Sequence, residues 1–232
     1  MRNRSGIYPI ILAALFLIVI TGCQKENSHS GTVTNGTSSS VFNPGIYYDT
    51  MNDQEGNFYR TIKIGNQTWM AENLRTTIYR NGDPITEGKD NSAKDYLNSG
   101  VYYNYNNTEN VDSLTTYGLL YNWYAVSYRS NLAPAGWHIP TQAEWAILYT
   151  YLGGKNGAGG KLKEAGNLHW KINFTNDIAD NSSGFTALPG SLINYQGSFG
   201  RDGNNDAIGY GNSGYWWSSA EYGTLYGVTY IA

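Results

Sequence analysis

This chain of 232 residues contains a single cysteine, Cys23, and that scarcity excludes more chemistry than any other feature of its composition. With no thiol after residue 23, the remainder has no disulfide, no thiolate nucleophile and no cysteine-ligated metal. Charge is sparse at 14%, and the formal net charge of -3 leaves no basic stripe for nucleic acid. No internal repeat, heptad pattern or long apolar run is present. The longest apolar stretch, Ile10 to Ile20, has eleven residues, short of the roughly 20 that span a bilayer as a helix. Beyond Ser40 histidine is confined to His138 and His169, and no zinc spacing or nucleophile-elbow motif flanks either. No pair of carboxylates stands out for glycosidase chemistry.

What is present begins at the N-terminus. Arg2 and Arg4 precede the apolar stretch, which ends in Thr21-Gly22-Cys23. That is the layout of an export signal. Ile20-Thr21-Gly22-Cys23 resembles the lipobox of bacterial lipoproteins, which implies cleavage before Cys23 and lipidation of its thiol. Acyl chains at one end would anchor the protein durably. Gln24 to Ser40 is rich in Ser, Thr, Gly and Asn; so polar a stretch reads as a flexible tether. Lys25 and Glu26, just behind the cysteine, loosely resemble export tags of outer-surface lipoproteins. The expected organisation is therefore a signal peptide over 1–22, a lipidated cysteine and tether over 23–44, and one domain over 45–232. Bacterial outer membrane is the expected location.

From Phe42 onward tyrosine and tryptophan are dense, 21 and seven in the chain, and 28 glycines imply many turns. Phe58 to Ile64 alternates, with Phe58, Arg60, Ile62 and Ile64 on one face, then turns at Gly65-Asn66 into Gln67 to Met70. This predicts a hairpin, with a bulge or an edge position to accommodate Arg60. Tyr117 to Tyr128 carries a moderate helical stripe. Thr141 to Leu152 is the clearest helix: Thr141 and Glu144 form a capping box, and Gly153-Gly154 end it.

Six segments occur in order: Asp53 to Thr77 (DQEGNFYRTIKIGNQTWMAENLRTT), YGLLYNWYAV from Tyr117, LAPAGWHIPTQAEW from Leu132, GGKLKEAG from Gly159, SGFTALPGS from Ser183 and YWWSSAEY from Tyr215. Together they closely resemble the Fibrobacter succinogenes major paralogous domain, from about Met51 to Tyr222. Gly136 to Trp145 is also similar, more distantly, to a segment of formylglycine-generating enzymes. That likeness implies an α+β, C-type lectin-like fold: two helices packed on a small, twisted, mostly antiparallel sheet with long loops. Fold alone does not imply function. The cysteine pair that holds copper in those enzymes is absent. Two cysteines common in relatives of the domain are replaced by Ala133 and, approximately, Tyr103, implying loss of a disulfide. The family's closing strand is expected to be missing after Tyr222, which would leave a sheet edge open.

Asp202, Asn204 and Asp206 present oxygen ligands at alternating positions, a candidate calcium loop, although a plain turn has the same composition. The sugar-coordinating motifs of calcium-dependent lectins are absent. His138 reads as a structural hydrogen bond beside Trp137. Trp69, Trp123, Trp137 and Trp145 read as core. Trp216-Trp217 point to opposite sides of an extended segment, so one is expected at the surface. With Tyr195, Phe199 and Tyr210, Trp217 would form a stacking platform for a sugar ring. The expectation is a non-enzymatic, lipid-anchored adhesion or ligand-binding module, with a glycan as first ligand. The alternatives are a hydrolytic enzyme on the same scaffold and a structural cell-envelope protein that binds another protein.

Overall fold

The computed structural model describes residues 18–19, 36–89, 98–171, 179–194, 198–200, 211–222 and 225–231. Strands β1 (Ile18–Val19), β2 (Asp49–Asn52), β3 (Phe58–Ile64), β4 (Gln67–Met70) and β8 (Trp137–His138) form a five-stranded sheet in the order β2-β3-β4-β1-β8. A second, three-stranded sheet holds β5 (Thr86–Glu87), β6 (Val101–Asn104) and β7 (Leu119–Tyr121), and β9 (Gly214–Tyr222) pairs with β10 (Leu225–Ile231). The helices are α1 (Val111–Tyr117), α2 (Trp123–Val126), α3 (Gln142–Tyr151) and α4 (Lys155–Leu162). The architecture is α+β, with short helices and small, mostly antiparallel sheets.

The β3–β4 hairpin has the predicted register, Ile62 opposite Trp69 and Ile64 opposite Gln67, closed at Gly65 with φ 60°. Arg60 needs neither bulge nor edge. Strand β3 is paired without interruption to β2 on one side and β4 on the other. The Arg60 guanidinium instead lies 4.2 Å from the centre of the Phe42 ring and 3.7 Å from the buried Glu72 carboxylate. Both faces of β3 are covered at its centre, since Tyr59, Thr61, Ile62 and Ile64 are all buried.

The helical stripe over Tyr117 to Tyr128 is broken. Helix α1 ends at Gly118, whose φ of 70° is open to glycine and whose missing Cβ would sit 2.5 Å from Asn73 Cβ. Residues 119–121 then pair with β6, and Asn122 restarts a helix by accepting from the Ala125 amide at 2.9 Å. The same Asn122 oxygen accepts from Val101 N at 3.0 Å. Strand pairing has overridden local helix propensity. Helix α3, by contrast, is as expected: Thr141 caps it, Glu144 returns a carboxylate to the Thr141 amide at 2.7 Å, and Gly153 and Gly154 follow with φ 105° and 82°.

The core is built on indoles. All seven tryptophans are 9% exposed or less. Trp69 meets Trp145 at 4.8 Å and Phe185 at 5.8 Å, and Trp123 meets Trp217 at 5.8 Å. Trp145 donates its ring N–H to Trp217 O, Trp217 to Tyr121 O, Trp216 to Asn73 Oδ1 and Trp170 to Ala187 O, while the buried Trp69 N–H has no acceptor among the described residues.

Two expectations about the chain's ends change. Residues 225–231 do form a strand, β10, paired antiparallel with β9 with Val228, Thr229 and Tyr230 in register with Trp217, Trp216 and Tyr215. The expected tether over 23–44 is docked in its described part, 36–44. Thr37 N donates to Asp112 at 2.7 Å, Val41 N to Glu164 at 2.6 Å, and Asn43 Nδ2 to Asn181 O at 3.0 Å. The acceptors that hold this strap, residues 36–44, are exposed at Asp112 and buried at Glu164 and Asn181.

Candidate ligand-binding site

Successive residues of a strand face opposite sides, and β5 uses both. Thr86 lines one cleft and Glu87 another.

The larger cleft, ≈ 540 Å³, is walled by Tyr79, Pro84, Thr86, Tyr124, Tyr128 and Arg129. Tyr79 and Tyr128 rings lie 4.6 Å apart, tilted by 41°. Tyr79 is buried while Tyr128 is 41% exposed, so the pair presents one open ring backed by a second. Burial, with Tyr128 adding to it, pushes the Tyr79 hydroxyl up to about 12, so it stays a neutral donor. Gly100 leaves the space this hydroxyl occupies: a Cβ there would stand 1.9 Å from it.

The cleft's loop is held firmly. Tyr79 N donates to Asp83 O at 2.8 Å and Gly82 N returns to Tyr79 O at 2.9 Å. Next to it the Arg80 guanidinium donates to the carbonyls of Ala133, Pro134 and Trp137 at 2.6–3.1 Å. Ala133 is thus tied to the Tyr79 loop by hydrogen bonds. The rim adds Asn98, Ser99, Ser127 and Arg129. Open aromatic faces with a polar rim suit a ligand having one apolar and one hydroxylated face.

The smaller cleft, ≈ 340 Å³, is polar, with Arg75, Glu87, Tyr102, Asn104 and Glu109. Asn104 Nδ2 donates to Glu87 at 3.2 Å, and burial, then the Glu87 and Glu55 charges, push Tyr102 up to about 12. Arg75 stacks 4.4 Å over Tyr59 and donates to Phe58 O at 2.7 Å. Behind it Asp53 accepts from Tyr59 Oη at 2.6 Å and Asn57 Nδ2 at 2.8 Å; burial nevertheless raises its pKa.

Of the residues singled out in the sequence, Trp217 is corrected: at 1% exposure it is core and offers no stacking face. Trp216 is equally enclosed, because β9 has protein on both faces: Trp216 bonds Asn73, and Trp217 packs on Trp123. Phe199 is half-buried, edge-on to Tyr105 at 5.2 Å, beside the Tyr105–Tyr117 stack. It is on neither cleft. Cys23, Tyr195, Tyr210, Asp202, Asn204 and Asp206 lie outside the described residues. Among the described residues no cluster of three His, Cys, Asp or Glu is placed to hold a metal. His138 Nε2 meets Glu144 Oε1 at 2.8 Å, the structural role expected of it.

Tyr79 and Tyr128 escaped the sequence reading. Among 21 tyrosines nothing local marks the two that share a cleft 49 positions apart.

No curated protein and no solved structure matches the chain. Residues 62–231 match the Fibrobacter succinogenes major domain, most of the chain and a span that includes β10. Strand β4, α3 and all seven tryptophans fall within that span, and the chain belongs to the Fibrobacter succinogenes major domain family.

Proposed function

We propose that this protein is a lipid-anchored surface module that binds a glycan in the cleft of Tyr79, Tyr124 and Tyr128, on a scaffold of the C-type lectin-like class. The observation that carries the reading is the Tyr79–Tyr128 pair, one ring open and one buried, 4.6 Å apart with a polar rim. The C–H face of a pyranose stacks on such a ring while its hydroxyls reach Thr86, Ser99 and Arg129. The smaller cleft lacks an open ring of this kind. Export and anchoring rest on Arg2, Arg4, the apolar stretch and Cys23, and outer membrane is the compartment that fits them.

A glycan array probed with the full chain in detergent tests the binding. Retention on a subset of sugars is expected; a blank array, with the protein folded, contradicts it. For the anchor, Cys23→Ala is expected to abolish fatty-acid labelling and release the protein from the membrane fraction. Unchanged labelling would refute lipidation at that residue.

A further inference from the structure

A second constellation stands apart from both clefts. Ser39 Oγ lies 3.0 Å from His169 Nε2, and His169 Nδ1 lies 2.6 Å from Glu164 Oε2. The three come from the docked strap and from the segment after α4, with 130 positions between serine and histidine. Burial is graded along the chain of contacts: Ser39 is exposed, the His169 side chain is 9% accessible and that of Glu164 1%. We propose that Ser39, His169 and Glu164 form an activated-serine site that takes the acyl group of small esters, independent of the glycan reading.

The hydrogen bonds set the protons. Glu164 accepts Val41 N on Oε1 and is fixed at its backbone by Glu164 N donating to Ala187 O at 3.0 Å. Its other oxygen faces Nδ1, so an ionised Glu164 holds the imidazole proton there and leaves Nε2 as an acceptor. Thr116 Oγ1, 3.2 Å from Ser39 Oγ, already donates to Asp112 O at 2.8 Å. Its oxygen can then only accept, from Ser39 N or Ser39 Oγ, so the one hydroxyl proton of Ser39 serves either Thr116 or Nε2, and the reactive rotamer is the one that donates to Nε2. Tyr117 packs edge-on to the imidazole at 5.5 Å and limits its rotation.

The chemistry is that of a serine acyl transfer. Ser39 Oγ bonds the ester carbonyl carbon as its proton passes to Nε2. The carbon–oxygen bond to the alcohol then breaks, and the leaving alkoxide takes that proton. Water attacks the acyl-serine through the same base, releasing the acid and restoring the hydroxyl. An exposed serine suits a short acyl group such as acetyl. Ser39 N donates to Thr116 and Ser40 N to Ser38. Neither is free to stabilise an oxyanion, and a missing donor costs about 10²–10³ in rate. Covalent capture is therefore the sharper readout.

The test is labelling of the full chain in detergent with a fluorophosphonate probe, with the labelled residue located by mass spectrometry. Expected are labelling at Ser39, none in Ser39→Ala, and a fall of about 100-fold in His169→Ala, partly restored by added imidazole. A purely structural histidine would not give that rescue. Labelling of wild type no faster than of the heat-unfolded chain overturns the proposal, whether or not the His169 variant folds. So does labelling at Ser38 or Ser40, or labelling undiminished in a folded His169→Ala.

Discussion

Tryptophan and tyrosine divide this molecule between them. Around Trp69, Trp145 and Trp217 every indole is enclosed, whereas at the Tyr79–Tyr128 cleft one of two neighbouring rings is open to solvent, and Tyr47 and Tyr151 are more exposed still. Both side chains are large amphipathic rings. An indole has one donor to satisfy and more apolar area to hide, which favours the interior. A phenol keeps a polar tip that tolerates water, and is the better ring to leave at a binding surface. In this chain every tryptophan lies in the core, joined there by Tyr59, Tyr103 and Tyr121, and the open ring of the candidate site is a tyrosine.

The largest expected effect is in the core. Trp145 contacts Trp69, Phe185 and Tyr149, and Trp145→Ala is expected to cost about 3–5 kcal/mol in chemical denaturation. A loss below about 1 kcal/mol, the size usual for surface changes, would break the comparison by showing that the indoles are not the core. Next comes the cap of α3. Thr141→Ala is expected to cost about 0.5–2 kcal/mol; an unshifted melt removes the cap's role.

A smaller effect sharpens the polar side of the same helix. Burial raises the pKa of Glu144, but hydrogen bonds from Thr141 and His138 outweigh it and leave the carboxyl below its usual 4.5. A depressed folded-state pKa gives stability that is present above about 4.5 and lost as pH falls through the folded value. Asp53 and Glu72, raised mainly by burial, act in the opposite sense. The difference between wild type and Glu144→Gln isolates the effect: the gap in melting temperature is expected to narrow as pH drops from 6 toward 3. A constant gap contradicts it.

Legibility followed locality. The capping box joins residues three apart and the Gly65-Asn66 hairpin joins adjacent strands, so the pattern carries the answer. The helix expected over Tyr117 to Tyr128 failed because β6, a strand from elsewhere, recruits Leu119–Tyr121. Alternation placed Trp216 and Trp217 on opposite faces correctly, but it does not reveal whether each face is covered. The docking of residues 36–44 is hidden for the same reason: their acceptors, Asp112, Glu164 and Asn181, lie 75 to 138 positions away. The Ser39–His169–Glu164 arrangement exists only once the strap is docked. β1 gives a further contrast, since its residues read as export signal and yet pair with Trp69, Trp137 and His138. Cleavage before Cys23 would withdraw that strand from the sheet.

The central claim is that the open tyrosine serves binding and the enclosed rings serve the fold. Tyr128→Ala, titrated with a sugar retained on the array and melted in parallel, tests it most directly. The account predicts affinity weaker by about tenfold or more, which is about 1.4 kcal/mol, with stability changed by less than about 0.5 kcal/mol, as at most surface positions. Undiminished affinity in a folded Tyr128→Ala would contradict it.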